Sequence, residues 1–578
     1  MSEEASKLPK DIAAAEGKVN VQINGTWHRF PRGTRIADAC RSVGVPIPCF
    51  CYHPKLAIAG SCRMCMVEQG MPPRPAPGQA PSYDTAGYQN IQWMPRPIIS
   101  CANTVAENMG IRTDSPLASE ARRGVMEFLL VNHPLDCPIC DQAGECKLQE
   151  FSLDYGQAEG RSEESKTKKG KNLSIGPRVN LDQERCVLCG RCVRFMRDVM
   201  NDAVLTMSQR GTDNAITVYP GRELDSNYSL NTVDLCPVGA LTSKDFRFKM
   251  RVWFLKDTKT IDVDCGTGTN ITLWTRESHV YRITPRPNDA VNSCWMPDSH
   301  RLNYTYINST QRIPQPIIRT DAGAPPRPAT WEPVMAATVE AFKRINPATL
   351  AIIASGRMTN EELFMTRLLA AQLGTDKVDI VPRTGESDGM LIAADRNPNT
   401  NGAKLVLGIE PGAKLAAIRD GVRNGSIKAI LALGEDLTAP EAGFTKEDLQ
   451  QLDYLSTIAH SASDTVLLAD TVLSGVTYAE KFGTMINVTG RIQRLNRAIQ
   501  PIAYSRDDWQ ILRDLTVALG GNPALGDLQS ALNILSVMNT EYEALNGVTW
   551  GSIGDGGQPI LETGVTIPVV EREKQQGL

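Results

Sequence analysis

Hydrophobic and polar positions change rhythm several times along this chain. In residues 19–30, VNVQI and TWHRF alternate around Asn24-Gly25, the pattern of a tight β-hairpin. The next stretch, TRIADACRSVG, has helical spacing, with Thr34 placed to cap its start and Gly44 to stop its end. Residues 70–97 are crowded with proline and glycine and predict a surface loop. PLASEARRGVMEFLLV (116–131) predicts an amphipathic helix that leads into HPLDCPICDQAGEC, whereas EGRSEESKTKKGK (159–171) has almost no apolar residues and predicts a linker or mobile loop. Beyond residue 330 the pattern becomes α/β. LAIIASG (350–356) and IKAILAL (427–433) are short apolar strands, the second running into Gly434-Glu435-Asp436. Between them TNEELFMTRLLAAQLG (359–374) is a helix capped by Thr359 and ended by Gly374. Such alternation implies a mostly parallel sheet with helices on its faces. No short-period repeat is present.

The totals add limits. At 578 residues the chain exceeds one hydrophobic core, so three to five domains are expected. Hydrophobic and charged fractions of 42% and 22% are those of ordinary globular protein, and a net charge of −4 argues against nucleic-acid binding as its main business. No run of eighteen apolar residues appears. The start, MSEEASKLPKDIAAAEG, lacks an apolar secretory core, and its acidic residues disagree with a mitochondrial transit peptide. The expectation is a cytoplasmic protein that can dock on a membrane complex.

The cysteines change the picture most. All 15 lie between Cys40 and Cys294, and none follows. In a chain this long, grouped cysteines point to metal sites or reactive thiols rather than to a disulfide scaffold. The first group is Cys51, Cys62, Cys65 and Cys101, in FCYHPKLAIAGSCRMC and ISCANTV. It follows the hairpin and helix, the element order of a ferredoxin-like β-grasp module, and four thiolates are what a [2Fe–2S] cluster needs. Ten residues separate its first two cysteines, against four in plant-type ferredoxins, and Cys49 rivals Cys51. The second group is His133, Cys137, Cys140 and Cys146. Three cysteines leave one iron of a cubane to be filled; the imidazole of His133 can fill it, or can merely bond to the backbone beside Pro134. In the third, RCVLCGRC places Cys186, Cys189 and Cys192 too tightly for the usual paired zinc arrangement, and Cys236-Pro237 supplies a fourth ligand for a [4Fe–4S] cluster. Structural zinc in all three groups is the competing reading. Arg63, Arg191 and Arg194 lie beside ligands, either tuning charge or serving structure. Cys40, Cys265 and Cys294 are expected to be buried free thiols. GTGTN at 266–270 is better read as a turn than as a dinucleotide loop, so direct NADH binding is not expected.

The order FCYH…GSCRMC…SC, HPLDCPICDQAGEC, RCVLCGRC…CP closely resembles the large iron–sulfur subunit of respiratory NADH:quinone oxidoreductase (complex I), in its bacterial form or as the mitochondrial 75 kDa subunit. The resemblance is dense over residues 18–310. It implies a multidomain α+β and α/β chain: a [2Fe–2S] β-grasp domain (18–110), a one-histidine, three-cysteine [4Fe–4S] domain (111–158), a ferredoxin-type [4Fe–4S] domain (176–252), a degenerate molybdenum/tungsten-oxidoreductase-type 4Fe–4S domain without its cluster (255–312), and a molybdopterin-oxidoreductase-like α/β scaffold (313–578). It assigns the three groups as the three cluster sites. Electrons would enter from the flavin-bearing NADH-oxidising subunit and leave toward the two-cluster ferredoxin-like subunit and then quinone. The chain would lie at the cytoplasmic face of the bacterial inner membrane, without inserting.

In some bacterial members of that family an additional [4Fe–4S] cluster is held by C-x2-C-x3-C and a later cysteine. Here those positions hold Asp262, Cys265, Thr269 and Pro297, with Cys294 three residues early, so that cluster is expected to be absent. Residues 463–499 resemble the family's A-D-x-x-L, E-x-x-G-T, N and G-R-x-Q stretch, but with no cysteine for molybdenum; a scaffold without molybdopterin is expected, shorter than in many bacterial members. About ten irons per chain and no molybdenum follow. The rival families are an NAD-linked formate dehydrogenase, which should keep the additional cluster and a molybdenum ligand, and an NAD-reducing hydrogenase, whose diaphorase subunit resembles only the N-terminal part. A non-redox zinc scaffold is the rival of another class.

Overall fold

The predicted hairpin forms: Lys18–Ile23 pairs antiparallel with Thr26–Pro31, and Asn24 and Gly25 at its tip take the positive φ angles, 48° and 89°, that such a turn demands. The computed structural model describes residues 9–319 and 325–576, in two compact units that meet in sequence at Trp253 and Phe254. The first eight residues, part of the start MSEEASKLPKDIAAAEG, lie outside the described residues.

In the first unit the hairpin joins a mixed sheet in the order Thr26–Pro31, Lys18–Ile23, Met109–Arg112, Met66–Met71, Gln92–Trp93, in which Lys18–Ile23 runs parallel to Met109–Arg112. Val19, Val21 and Ile23 point inward and pack with Ile36, Ala37 and Cys40 of the helix Ile36–Ser42. Thr34 does not cap that helix. It stands two residues ahead of the first helical turn, and its hydroxyl donates to the Pro31 carbonyl at 2.8 Å, closing the preceding turn instead.

Two expected loops are more ordered than their composition suggests. The ends of 70–97 are strand, because Gly70 and Met71 pair with Trp93 and Gln92. A Cβ on Gly70 would stand 2.2 Å from Ile91, so only glycine permits that approach. Residues 159–171 are irregular yet tied down. Arg161 pairs with Glu127, the Lys166 ammonium donates to the Leu130 and Val131 carbonyls at 2.9 and 2.8 Å, and that of Lys169 to the Asn214 carbonyl at 2.6 Å. Lys166 thereby satisfies orphan carbonyls at the end of the helix Pro116–Val131, where a cation also suits the helix dipole.

The second unit opens with an antiparallel meander, Lys256–Ile261, Asn270–Arg276 and His279–Pro285. Its main sheet runs in the order Arg327–Pro328, Ile317–Ile318, Thr471–Ser474, Tyr454–Ala459, Ala429–Leu433, Leu350–Ala354, Val378–Ile380, parallel from Thr471–Ser474 onward. Leu350–Ala354 and Ala429–Leu433 are buried at every position, as all-apolar strands covered on both faces must be. The helix Asn360–Leu373 begins in a reciprocal cap between Thr359 and Glu362 and ends at Gly374, φ 68°.

Candidate metal centres

Three segments of the first unit converge on the first site: the loop after Ile36–Ser42 brings Cys51, the approach to Met66–Met71 brings Cys62 and Cys65, and the turn after Ile98–Ile99 brings Cys101. The four thiols face one another closely enough to hydrogen-bond, Cys51 with Cys101 and Cys62, and Cys65 with Cys101. Those bonds, joined by backbone N–H groups of Cys62 and Ser61, hold the Cys51 sulfur far below the ordinary thiol range. The bond from Cys101 brings Cys65 down to about 6. The same contacts push Cys62 and Cys101 up. Four mutually facing sulfurs, two already favouring thiolate, are the donor set a [2Fe–2S] group requires. Cys49 takes no part: its sulfur lies 3.8 Å from the Tyr52 carbonyl. Arg63, at φ 61°, turns its guanidinium onto the Gly60 carbonyl and closes the loop that carries Cys62 and Cys65.

At the second site His133, Cys137, Cys140 and Cys146 line one cavity of about 830 Å³, together with Arg185 and Gly239. The helix Pro116–Val131 ends just before His133, whose N–H donates to the Leu130 carbonyl. Burial, reinforced by Arg185 and Lys166, lowers the imidazole pKa to about 4, so it is neutral near pH 7, the form that ligates metals. Gly239 is required: a Cβ there would stand 2.3 Å from the Cys140 sulfur. Cys146 is buried, Cys140 half-buried and Cys137 exposed.

The third site is more enclosed, with Cys189 and Cys192 buried and Cys186 and Cys236 half-buried. The four surround a small cavity lined mostly by apolar side chains such as Val187, Ile216 and Val238, together with Arg191. Left-handed backbone at Leu188 and Gly190, φ 51° and 69°, lets the loop wrap, and Cys192 sits in the short helix Arg191–Arg194. The Leu188 N–H points at the Cys186 sulfur at 3.4 Å, and N–H groups of Val238, Leu241 and Ala240 serve Cys236. Burial pushes the Cys186 and Cys189 thiols up to about 12 and 11 and raises Cys192 well above the ordinary thiol range. An interior that penalises thiolates this strongly suits a group whose irons neutralise them.

Arg191 and Arg194 act in both ways: their charges favour the Cys189 thiolate, and their hydrogen bonds serve structure. Arg191 donates to the carbonyls of Tyr52, at 2.5 Å, and Leu235, at 3.3 Å. Arg194 donates to those of Cys51, Ala57 and Cys189. Each guanidinium therefore fastens the Cys51 loop to the Cys186–Cys236 site. Spacing alone gave no sign of this, since Tyr52 lies 139 residues from Arg191.

Of the remaining thiols, Cys40 is buried and pushed up to about 12 by that burial, and Cys265 is fully buried. Cys294 is only half-buried, against expectation, because Ser293 and Cys294 lie in a turn where Ser293, at φ 54°, takes the inward place. Polar residues of 463–499 are engaged within the protein. Asn487 donates to the Thr267 carbonyl at 3.0 Å and Gln493 to that of Gly268 at 2.9 Å, while the Glu480 carboxylate accepts from Arg312 at 2.5 Å.

Family models match in the same order as these sites. A 2Fe-2S iron-sulfur cluster binding domain covers residues 16–116, the NADH-ubiquinone oxidoreductase-G iron-sulfur binding region 122–161, the ferredoxin-like domain of NADH-quinone oxidoreductase subunit 3 residues 176–242, an NDSU1/NuoG-like 4Fe-4S domain 255–305, and molybdopterin oxidoreductase 379–518. The mitochondrial 78 kDa subunit of NADH-ubiquinone oxidoreductase from Candida albicans is 31% identical across 89% of this chain and 84% of its own length. This chain belongs to the family of the large iron–sulfur subunit of NADH:quinone oxidoreductase. The corresponding Neurospora crassa subunit is 40% identical over 65% of this chain, and the NADH-quinone oxidoreductase counterpart from Rickettsia felis 37% over 63%. In those two alignments the chain spans 47% and 50% of the relative's length, about half. The large-subunit family thus extends over both units. Within 255–305, where one of its models lies, Asp262, Cys265 and His300 bring their ligand atoms within 4.8 Å of one another, and among the described residues Cys294 is not part of that group.

Proposed function

We propose that this chain is the electron-transfer subunit of the peripheral arm of complex I, docked between the flavin-bearing NADH-oxidising subunit and the two-cluster ferredoxin-like subunit. It would lie at the cytoplasmic face of a bacterial inner membrane; among the described residues no helix is long and apolar enough to cross a membrane. Cys51, Cys62, Cys65 and Cys101 hold a [2Fe–2S] cluster, and His133, Cys137, Cys140 and Cys146 and then Cys186, Cys189, Cys192 and Cys236 hold two [4Fe–4S] clusters. When bound, these groups supply one-electron transfer; NADH oxidation belongs to another chain. Five modules, 18–110, 111–158, 176–252, 255–312 and 313–578, divide the work, the last two being scaffold without molybdopterin.

The observation that carries this reading is the grouping of three separate donor sets, four thiols in mutual contact and two sets each lining one cavity, with the first and third fastened together by Arg191 and Arg194. The protein's task is to hold the groups, keep them apart from solvent to different degrees and fix their spacing, because tunnelling and potential both depend on position, burial and hydrogen bonds to sulfur. A zinc scaffold would not require such a path. In the assembled complex, Cys236→Ala should abolish NADH:quinone electron transfer while leaving NADH oxidation by an artificial acceptor at the flavin. Unimpaired quinone reduction in an assembled variant would defeat the proposal.

A further inference from the structure

We infer that Asp262, Cys265 and His300 form a site for one divalent transition-metal ion, zinc by preference, where the matched family model has an iron–sulfur cluster. Asp262 follows the strand Lys256–Ile261; its N–H donates to the Thr269 carbonyl at 2.8 Å, closing the loop 262–269 on itself. Gly268, at φ 62°, lets that loop turn, and the Gly266 N–H anchors it to the Asp395 carbonyl at 2.9 Å. His300 arrives on the short helix Asp298–Arg301, with Nδ1 2.7 Å from Asp262 Oδ2.

All three side chains are buried, and their ligand atoms lie within 4.8 Å of one another. Tetrahedral zinc, with bonds of about 2.0 Å to N and O and about 2.3 Å to S, holds its donors roughly 3.3–3.8 Å apart. The trio reaches that spacing by shifts of about 1 Å. A carboxylate, a thiolate and an imidazole are all zinc ligands, whereas magnesium and calcium reject the sulfur and a cubane lacks its other ligands here. A supporting layer is already in place. Asp262 Oδ1 accepts the Asp264 N–H at 3.3 Å, which aims Oδ2 at His300, and backbone N–H groups of Ala393 and Thr267 donate to the Cys265 sulfur. A Cys–His–Asp nucleophile is the competing use of this trio, but Cys265 is 0% exposed and no substrate reaches it. The metal would pin the loop 262–269 to residues 298–301.

The test uses the full chain with its clusters loaded, incubated with zinc and then dialysed. About one zinc per chain is expected, and its X-ray absorption edge should report one sulfur with nitrogen and oxygen neighbours. Cys265→Ser and His300→Gln should each lower the retained zinc at least about ten-fold with iron content unchanged. The inference is overturned by wild-type protein that retains no zinc, by variants that retain it equally, or by iron and sulfide lost from Cys265→Ser. If neither variant folds, the absorption spectrum of the wild type decides, since an all-sulfur or sulfur-free shell contradicts the assigned ligands. Loss of complex I activity is no part of this test, so it stands or falls separately from the proposed function.

Discussion

The two units solve opposite interior problems. The first packs its cysteines into apolar clusters and keeps space among the donor atoms for inorganic groups. The second fills its interior with aliphatic strands and closes its buried charges on one another, as in Lys481–Glu362 at 2.8 Å and Arg312–Glu480 at 2.5 Å. Buried charges paired this way need no inorganic counter-ion, whereas donor sets without such partners should depend on a metal for their stability.

The sharpest way to break this contrast is to remove the iron. Oxidative chelation of the full chain should melt the first unit, since thiols buried for ligation lose the ions that stabilise them, and leave the second folded. Limited proteolysis should then preserve a fragment beginning near Phe254; uniform digestion would refute the contrast. In the second unit, Lys481→Met strands the buried Glu362 carboxylate and should cost about 3–5 kcal/mol in denaturant unfolding, with iron content unchanged.

Smaller effects sharpen the comparison. Burial raises Glu361 to about 7 from an ordinary 4.5, so the unfolded chain releases that proton more readily than the folded one. Stability from this group is full below about pH 4.5 and falls as pH rises toward 7, by about 3 kcal/mol at most. Glu361→Gln, which can still bond to Thr484, should flatten that slope, measured as the denaturation midpoint of the second unit between pH 5 and 8. Within the first unit, His133→Cys should keep the iron and lower one [4Fe–4S] midpoint potential by on the order of 100 mV, because an anionic thiolate replaces a neutral imidazole. An unmoved potential would remove His133 from the ligands.

What the sequence disclosed follows from the range of each interaction. Local signals sufficed for the hairpin at Asn24-Gly25, the helix Pro116–Val131, the cap at Thr359 and the strands Leu350–Ala354 and Ala429–Leu433. Short spacing also brings Cys62 near Cys65, Cys137 near Cys140 and Cys186 near Cys189, because loops a few residues long cannot carry their thiols far apart, whereas Cys101 and Cys236 return over much longer stretches. Long-range partners were hidden. Lysines make 159–171 look like a linker until helix-end carbonyls are found to receive Lys166, and the hold of Arg194 on the Cys51 carbonyl has no sign in its spacing. His300 was missed because the comparison at 262–297 counted cysteines; DVDC followed by PDSH is the signal, a mixed donor set rather than a thinned cysteine motif.

The most direct measurement is iron and acid-labile sulfide content together with EPR of the dithionite-reduced chain. The account predicts about ten irons, one [2Fe–2S] and two [4Fe–4S] signals, and no molybdenum. An EPR-silent protein whose cysteine sites hold zinc would contradict it, and about fourteen irons would show that residues 262–297 have been misread.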